Sequence, residues 1–228
     1  MIIAVIPARG GSKRIPRKNI KIFSGEPMIS YAINAAKKLS LFDKIIVSTD
    51  DIEIANIAKK YGAEVPFLRP SELSDDYTTT TPVINHAIES MTGEESNIDY
   101  ACCIYPSVPL IKFSDILDSF NYMIKEGFES CIPVTPFQSP PQRALSISED
   151  GSLQRIFPEY EFSRSQDLQE LFYDVGQFYW GSKNAWKNDQ ISRGIPFIIP
   201  NWRVVDIDTQ DDWSRAEIIF NSLKKELD

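Results

Sequence analysis

The sequence predicts an α/β fold: a mostly parallel, Rossmann-like sheet with helices on both faces. Three observations carry that expectation. Short, continuous apolar runs alternate with longer segments whose apolar residues recur every three or four positions, the pattern of buried parallel strands and the helices that cover them. The chain has 228 residues, 43% hydrophobic and 25% charged, enough to bury one large core, and reads as a single domain over residues 1–228. The first apolar run opens directly into a loop rich in glycine and cations, "IPARGGSKRIPRKN", which is where open α/β sheets bind ligands.

Taken in order, "MIIAVIP" reads as the first strand, and residues 27–40 as a helix opened by proline with Met28, Ala32, Ala35 and Leu39 on one face. "KIIVST" is a second strand. The helix of "DDIEIANIAKKYG" follows, with acids at its start and Gly62 where a left-handed residue should close it. "AEVPFL" and a polar loop lead to a helix over residues 81–91, capped by Thr81 with Pro82 in its first turn. "DYACCIY" is a buried strand, residues 114–127 a helix with a serine cap and a terminal glycine, and "ESCIPV" another strand. From residue 136 to 175 the alternation breaks: prolines cluster, "ALSISEDGSLQRIF" predicts a hairpin turning at Asp150-Gly151, and "SRSQDLQEL" is polar. This reads as an inserted arm. "GQFYW", "IPFIIP" and "WRVVDID" resume the strands, a final helix starts near Thr209, whose hydroxyl can cap it, and "NSLKKELD" reads as its solvated end.

Composition excludes several functions. The formal net charge is −8, yet residues 9–21 hold Arg9, Lys13, Arg14, Arg17, Lys18 and Lys21 and no acid, leaving 18 cations against 32 acids, or −14, elsewhere. A compact positive loop on an acidic body suits a small, highly charged anion, not a nucleic-acid duplex, which needs an extended cationic face. No segment approaches the roughly 18 apolar residues of a membrane span, and the opening run is too short for a secretory leader, so a cytoplasmic protein without membrane association is expected. Cys102, Cys103 and Cys131 sit in apolar runs without C-x-x-C spacing and read as buried thiols, and the lone His86 as a packing or surface-exposed residue.

The loop departs from known phosphate-binding signatures. Ile15 stands five residues after Gly10, so a Walker A match fails, and Gly10 and Gly11 alone do not make a dinucleotide fingerprint. Its chemistry still fits a triphosphate. Paired glycines let backbone N–H groups approach an anion, Ser12 adds a hydroxyl, and Arg9, Lys13 and Lys18 supply charge-assisted bonds. Far away in sequence, a strand through "VVDIDTQ" would point Asp206 and Asp208 to one face about 6.5–7 Å apart. Two such carboxylates can hold Mg²⁺ beside substrate phosphates.

Four segments in this order, "IPARGGSKRIPRKN", "LRPSELSDDYTTTTPVINHAI", "YPSVPL" and "VVDIDTQDDW", resemble the cytidylyltransferases that activate nonulosonic acids, the CMP-sialic acid synthetase family, over nearly the whole chain. Within it, "RSQDLQELFYDVGQFYWG" is more similar to the pseudaminic acid branch than to the sialic acid one. The resemblance implies a nucleotidyltransferase-type sheet and transfer of CMP from CTP to the anomeric hydroxyl of an acidic nine-carbon sugar, with release of pyrophosphate. It implies that Ala8, Arg9, Gly10, Gly11, Ser12, Lys13, Lys18 and Asn19 bind the nucleotide, with Arg69 and Thr80 near its base and ribose. It further implies that Arg9, Lys18, Asp206 and Asp208 are catalytic, the two aspartates holding Mg²⁺.

For the sugar, Tyr105 stands where the sialic acid enzymes place a glutamine. Arg143 and Arg164 are candidates to clamp a carboxylate, and Tyr173, Phe178 and Tyr179 beside Gln177 are candidates for an aromatic wall. The family's arm commonly crosses a two-fold axis, which implies a homodimer. Sialic or legionaminic acid as the acceptor, and a non-catalytic nucleotide-binding regulator, are the alternative readings.

Overall fold

The structure, a computed structural model, describes residues 1–92 and 97–227; for residues 224–227 it describes the backbone alone, so most of the "LKKELD" side chains expected to be solvated lie outside the described residues. The chain opens with β1 (Ile2–Pro7), a two-stranded ribbon of β2 (Ile22–Phe23) and β3 (Glu26–Pro27), α1 (Met28–Lys37), β4 (Lys44–Ser48), α2 (Ile52–Lys60) and α3 (Thr80–Met91). It continues with β5 (Tyr100–Ile104), α4 (Phe113–Lys125), β6 (Ser130–Pro136), a hairpin of β7 (Leu145–Ile147) and β8 (Leu153–Arg155), and β9 (Phe172–Asp174). The last elements are β10 (Phe178–Ser182), α5 (Lys183–Lys187), β11 (Ile195–Ile198) and α6 (Gln210–Leu227).

A seven-stranded sheet runs in the order β11-β6-β10-β5-β1-β4, with β9 attached to β6. Strand β1 is parallel to β4 and β5, and β11 to β6. Strand β10 is antiparallel to both its neighbours, β5 and β6. The expected sheet is therefore mostly parallel but mixed. The reason is topological: the chain leaves β6 at Pro136, makes the arm, and returns beside β6 through the β9 pairing Val134↔Asp174. A return at the same end, without a crossover helix, has to be antiparallel.

The continuous apolar strands are buried on both faces. Ala4, Ile6, Cys102 and Ile104 pack with Ile29, Ile33, Ile116, Met123 and Trp180 on one face. The intervening Ile3, Val5, Ala101 and Cys103 pack with Ile84, Ala87, Ile88 and Trp186 on the other. A third cluster decides where the site forms. Ile15, from the cationic loop, packs with Phe23, Met28, Leu110, Ile207, Trp213 and Phe220, so that α6 and the segment before it clamp the loop from below. Phe23 meets Trp213 and Phe220 edge-on at 5.3 and 5.5 Å, geometry worth about 0.5–1.5 kcal/mol per pair beyond area burial.

Several sequence expectations hold in detail. Gly62 and Gly127 lie just beyond α2 and α4 at φ +93° and +73°, where a side chain would be strained. The hairpin forms where expected, with Gly151 at φ +84°. Thr209 caps α6, its hydroxyl accepting from Asp212 N (3.2 Å) while the Asp212 carboxylate accepts from Thr209 N (2.8 Å). The three cysteines are free and buried, and His86 packs edge-on against Phe67 at 4.8 Å.

Others are corrected. Helix α3 starts at Thr80, so Thr81 does not cap it and instead donates to Asp189 Oδ1 (2.7 Å). Helix α4 starts at Phe113, one residue before the expected Ser114 cap. "WRVVDID" forms a short 3-10 turn at Asn201–Arg203 followed by irregular chain. That segment leaves the edge strand β11 to reach α6 and has no strand beside it to complete a ladder.

Candidate active site

At the C-terminal end of β1 the loop opens into a cavity of about 1270 Å³. Its anchoring is local and specific. Gly10 N donates to Asp50 Oδ1 (2.9 Å), and a Cβ at Gly10 would sit 2.7 Å from Asp51 Oδ2, so the backbone must come this close to the start of α2. Arg17, at φ +57°, pairs with Asp51 and Glu53, and Asp51 also caps α2 by accepting from Ile54 N (3.0 Å). The Arg17 partnership holds the Asp51 carboxyl below the usual carboxylate range. Asn19 is buried and ties the loop's ends together, donating to Arg9 O (2.9 Å) and accepting from Ser107 Oγ (3.3 Å).

The remaining loop cations face the cavity and meet carboxylates from two other segments. Arg9 Nη1 pairs with Asp76 Oδ1 at 2.8 Å and donates to Asp75 O at 2.6 Å, and Lys13 pairs with the other Asp76 oxygen. Arg14 Nη2 pairs with Asp208 Oδ2 at 2.8 Å. Lys18 Nζ donates to Ile207 O at 2.7 Å and lies 3.4 Å from Asp208 Oδ1. Residues 190 positions apart in sequence thus converge. Asp206 has no hydrogen bond or ion pair among the described residues, and its pKa is raised by desolvation and by the Asp208 charge against the pull of Lys18 and Arg14. Two close carboxylates, one of them unpaired, form an oxygen donor set of the kind hard divalent cations prefer. No group of three or more metal-ligating side chains occurs among the described residues, so a cation there would have to complete its shell with water or phosphate.

The opposite wall carries uncharged donors and aromatic rings. Thr80 Oγ1 and Tyr105 Oη are hydrogen-bonded at 2.6 Å, Tyr105 and Tyr179 meet edge-on at 5.5 Å, and Tyr179 Oη donates to Asp174 Oδ2 at 2.6 Å. Burial pushes the Tyr105 phenol up to about 12, so it stays a neutral donor. Gln177, buried, donates through Nε2 to Arg203 O (3.2 Å). Arg69 is also buried, with Nε donating to Ser48 Oγ (3.1 Å); burial lowers its pKa to about 10, which leaves it charged at neutral pH.

Of the predicted site residues, Arg9, Ser12, Lys13, Lys18, Asn19, Arg69, Thr80, Tyr105, Tyr173, Gln177, Asp206 and Asp208 all line the cavity, as does Tyr179. Other predicted site residues lie elsewhere or have partners within the chain. Ala8 is buried and extends the β1 ladder through Ser48 O (2.9 Å), and the Gly10 N–H is already engaged by Asp50. Gly11 lies in open space outside the lining. Phe178 points into the core while its neighbours Gln177 and Tyr179 line the cavity, the alternation of a strand buried on one side. Arg143 and Arg164 lie outside this chain's cavity on the arm, bonded to Ser165 Oγ (3.0 Å) and Asp167 (2.8 Å). The aspartates do not sit on a strand, though Ile207 between them is buried in the third cluster as alternation requires. Sequence reading missed Arg14, Asp76 and Asp174 as cavity residues; Arg14 stands in the cationic run, and both acids fall within segments that carry the family resemblance.

Residues 3–168 match the family profile described as cytidylyltransferase. The chain belongs to the cytidylyltransferase family. It is 38% identical over 221 residues to the pseudaminic acid cytidylyltransferase of Campylobacter jejuni subsp. jejuni serotype O:2, covering 96% of this chain and 95% of that one. It is 31% identical to the CMP-N,N'-diacetyllegionaminic acid synthase of Legionella pneumophila, covering 95% and 94%. CMP:2-keto-3-deoxy-manno-octonic acid synthetase complexed with CTP shares the fold, at TM-score 0.72 and 15% identity over 97% of this chain and 98% of that one. The family assignment makes this chain a nucleotidyltransferase. The profile match ends before Asp206 and Asp208, which fall within the nearly full-length similarity to the two relatives.

Proposed function

We propose that this cytidylyltransferase converts CTP and pseudaminic acid to CMP-pseudaminic acid and pyrophosphate. The acceptor comes from the relative that is 38% identical over nearly the full length. The observation that carries the chemistry is the approach of Lys18 Nζ to Asp208 Oδ1 at 3.4 Å, which brings the loop cations and the two carboxylates to one cavity.

In this reading Arg9, Lys13, Lys18 and Ser12 bind the triphosphate, and Asn19 keeps the loop in shape. Arg69, Thr80 and Tyr105 face the nucleoside and the sugar. The anomeric hydroxyl oxygen attacks the α-phosphorus of CTP, the bond from that phosphorus to the pyrophosphate oxygen breaks, and the hydroxyl proton leaves to solvent. Such transfer is driven by positioning and charge neutralisation more than by covalent help. Lys18 neutralises charge that develops on the phosphoryl oxygens. Asp206 and Asp208 would hold a divalent cation, Mg²⁺ in our reading, whose charge supports the same transition state.

The single domain carries residues 136–175 as an arm that mediates a homodimer. What supports this is its surface: Ile147 is 76% and Phe162 95% exposed, with Leu145, Leu153 and Ile156 also exposed, an apolar face that water disfavours. Arg143 and Arg164 would then reach the partner's sugar site.

Asp208→Asn should reduce pyrophosphate release by about a hundredfold or more, while CTP binding measured by calorimetry without metal survives. Unchanged turnover would refute the role given to Asp208.

A further inference from the structure

The loop cations are already neutralised in two places, and only one of the two carboxylates has a task in the reaction. Asp208 pairs with Arg14 and Lys18 and is assigned to the cation. Asp76 pairs with Arg9 and Lys13, which it meets inside the same cavity, and has no such assignment. We propose that Asp76 is an internal competitor for the triphosphate, an autoinhibitory carboxylate that nucleotide must displace and that re-forms its pairs as pyrophosphate leaves. The inference rests on reading the loop as a phosphate site, and not on the identity of the base or the sugar.

Asp76 is held where it is by its neighbour. The Asp75 carboxylate accepts from Tyr77 N (2.9 Å), Thr78 N (2.7 Å) and Thr78 Oγ1 (2.7 Å), a tight turn that presents Asp76 towards the loop. Arg9 Nη1 is shared between Asp76 Oδ1 (2.8 Å) and Asp75 O (2.6 Å), so the guanidinium is spoken for twice by the same turn. Lys13 and Arg9 hold the Asp76 carboxyl below the usual carboxylate range, which keeps it ionised across neutral pH. One carboxylate offers a single charge to two cations; a polyphosphate offers several charges on more oxygens and can take both away. Because Asp76 belongs to the loop that leads into α3 and Thr80, its release would loosen that loop as the nucleotide enters.

Asp76 holds two exposed ion pairs, so removing them should tighten the binding of any ligand that displaces Asp76 by about two- to thirtyfold. The test is calorimetry on the full chain without divalent metal, using inorganic pyrophosphate, CTP and cytidine as probes for wild type, Asp76→Asn and Asp76→Ser. The expected result is equal tightening for pyrophosphate and CTP in both variants, no change for cytidine, and stronger inhibition of turnover by pyrophosphate. Equal or weaker pyrophosphate binding in the variants would overturn the proposal and make Asp76 a staple that holds the loop in its binding shape, and absence of pyrophosphate binding in all three proteins would overturn it as well. If pyrophosphate binds and tightens while CTP does not bind, the competitor stands and the cytidylyl-transfer reading fails.

Discussion

The loop of residues 8–19 and the arm of residues 136–175 are both stretches without long regular elements, yet they are built in opposite ways. The loop is clamped on every side: Ile15 in an aromatic cluster, Arg17 on the start of α2, Asn19 across its neck, and Arg14 and Lys18 against Asp208 and Ile207 O. The arm holds itself by a three-residue hairpin and short local turns, and leaves Ile147 and Phe162 in water. A loop that must place charge within tenths of an ångström has its geometry fixed by its own chain. The arm leaves its apolar surface exposed on this chain, as the proposed homodimer requires.

That contrast can be broken most directly through stability. Trp180, fully buried between the sheet and α4 with its indole N–H donating to Ile116 O (3.0 Å), should cost about 3–5 kcal/mol when replaced by alanine. Ile147→Ala on the arm should change the unfolding free energy of dilute protein by no more than about 0.5 kcal/mol. Denaturant titrations of both variants check this, and a large loss from Ile147→Ala in monomeric protein would show the arm to be part of the folded core.

A sharper separation comes from association. Phe162→Glu should shift the protein towards monomer in analytical ultracentrifugation at micromolar concentration while leaving the thermal midpoint of the dissociated chain unchanged. Dimers that persist with native affinity would remove the arm from the interface.

The smallest effect concerns the loop's anchor. Asparagine caps a helix as well as aspartate, so Asp51→Asn removes the charge pair with Arg17 and keeps the cap. Because the folded-state pKa of Asp51 lies below its unfolded value, its charge contributes stability above the unfolded pKa, and that contribution is lost as pH falls through the folded one. Wild type should therefore exceed the variant in stability at pH 7, by a margin that shrinks as the pH falls below the unfolded-state pKa of aspartate; a difference independent of pH would assign the effect to packing.

Much of this molecule is legible in its sequence, for reasons that particular residues show. The runs through Ile3–Ile6 and Ala101–Ile104 are buried on both faces, so a continuous apolar pattern was enough to locate them. Thr209 and Asp212 cap each other within one turn, a local pattern that sequence displays directly. The direction of β10 was not legible, because it depends on where the arm returns and on no residue within the strand. Nor was the fate of "WRVV", whose residues favour strands but which lies beyond the sheet's edge. The pairing of Asp76 with Arg9 joins residues 67 positions apart, and Phe178 could be separated from Gln177 and Tyr179 only once the cavity's side of the sheet was known.

The central claim is cytidylyl transfer to pseudaminic acid, and its most direct measurement is pyrophosphate release from each nucleoside triphosphate with Mg²⁺ and a panel of pseudaminic, legionaminic, sialic and octulosonic acids. The account predicts release with CTP and pseudaminic acid well above every other combination. Faster release with sialic or legionaminic acid would contradict the assigned acceptor, and silence across the panel with CTP still bound would contradict catalysis itself.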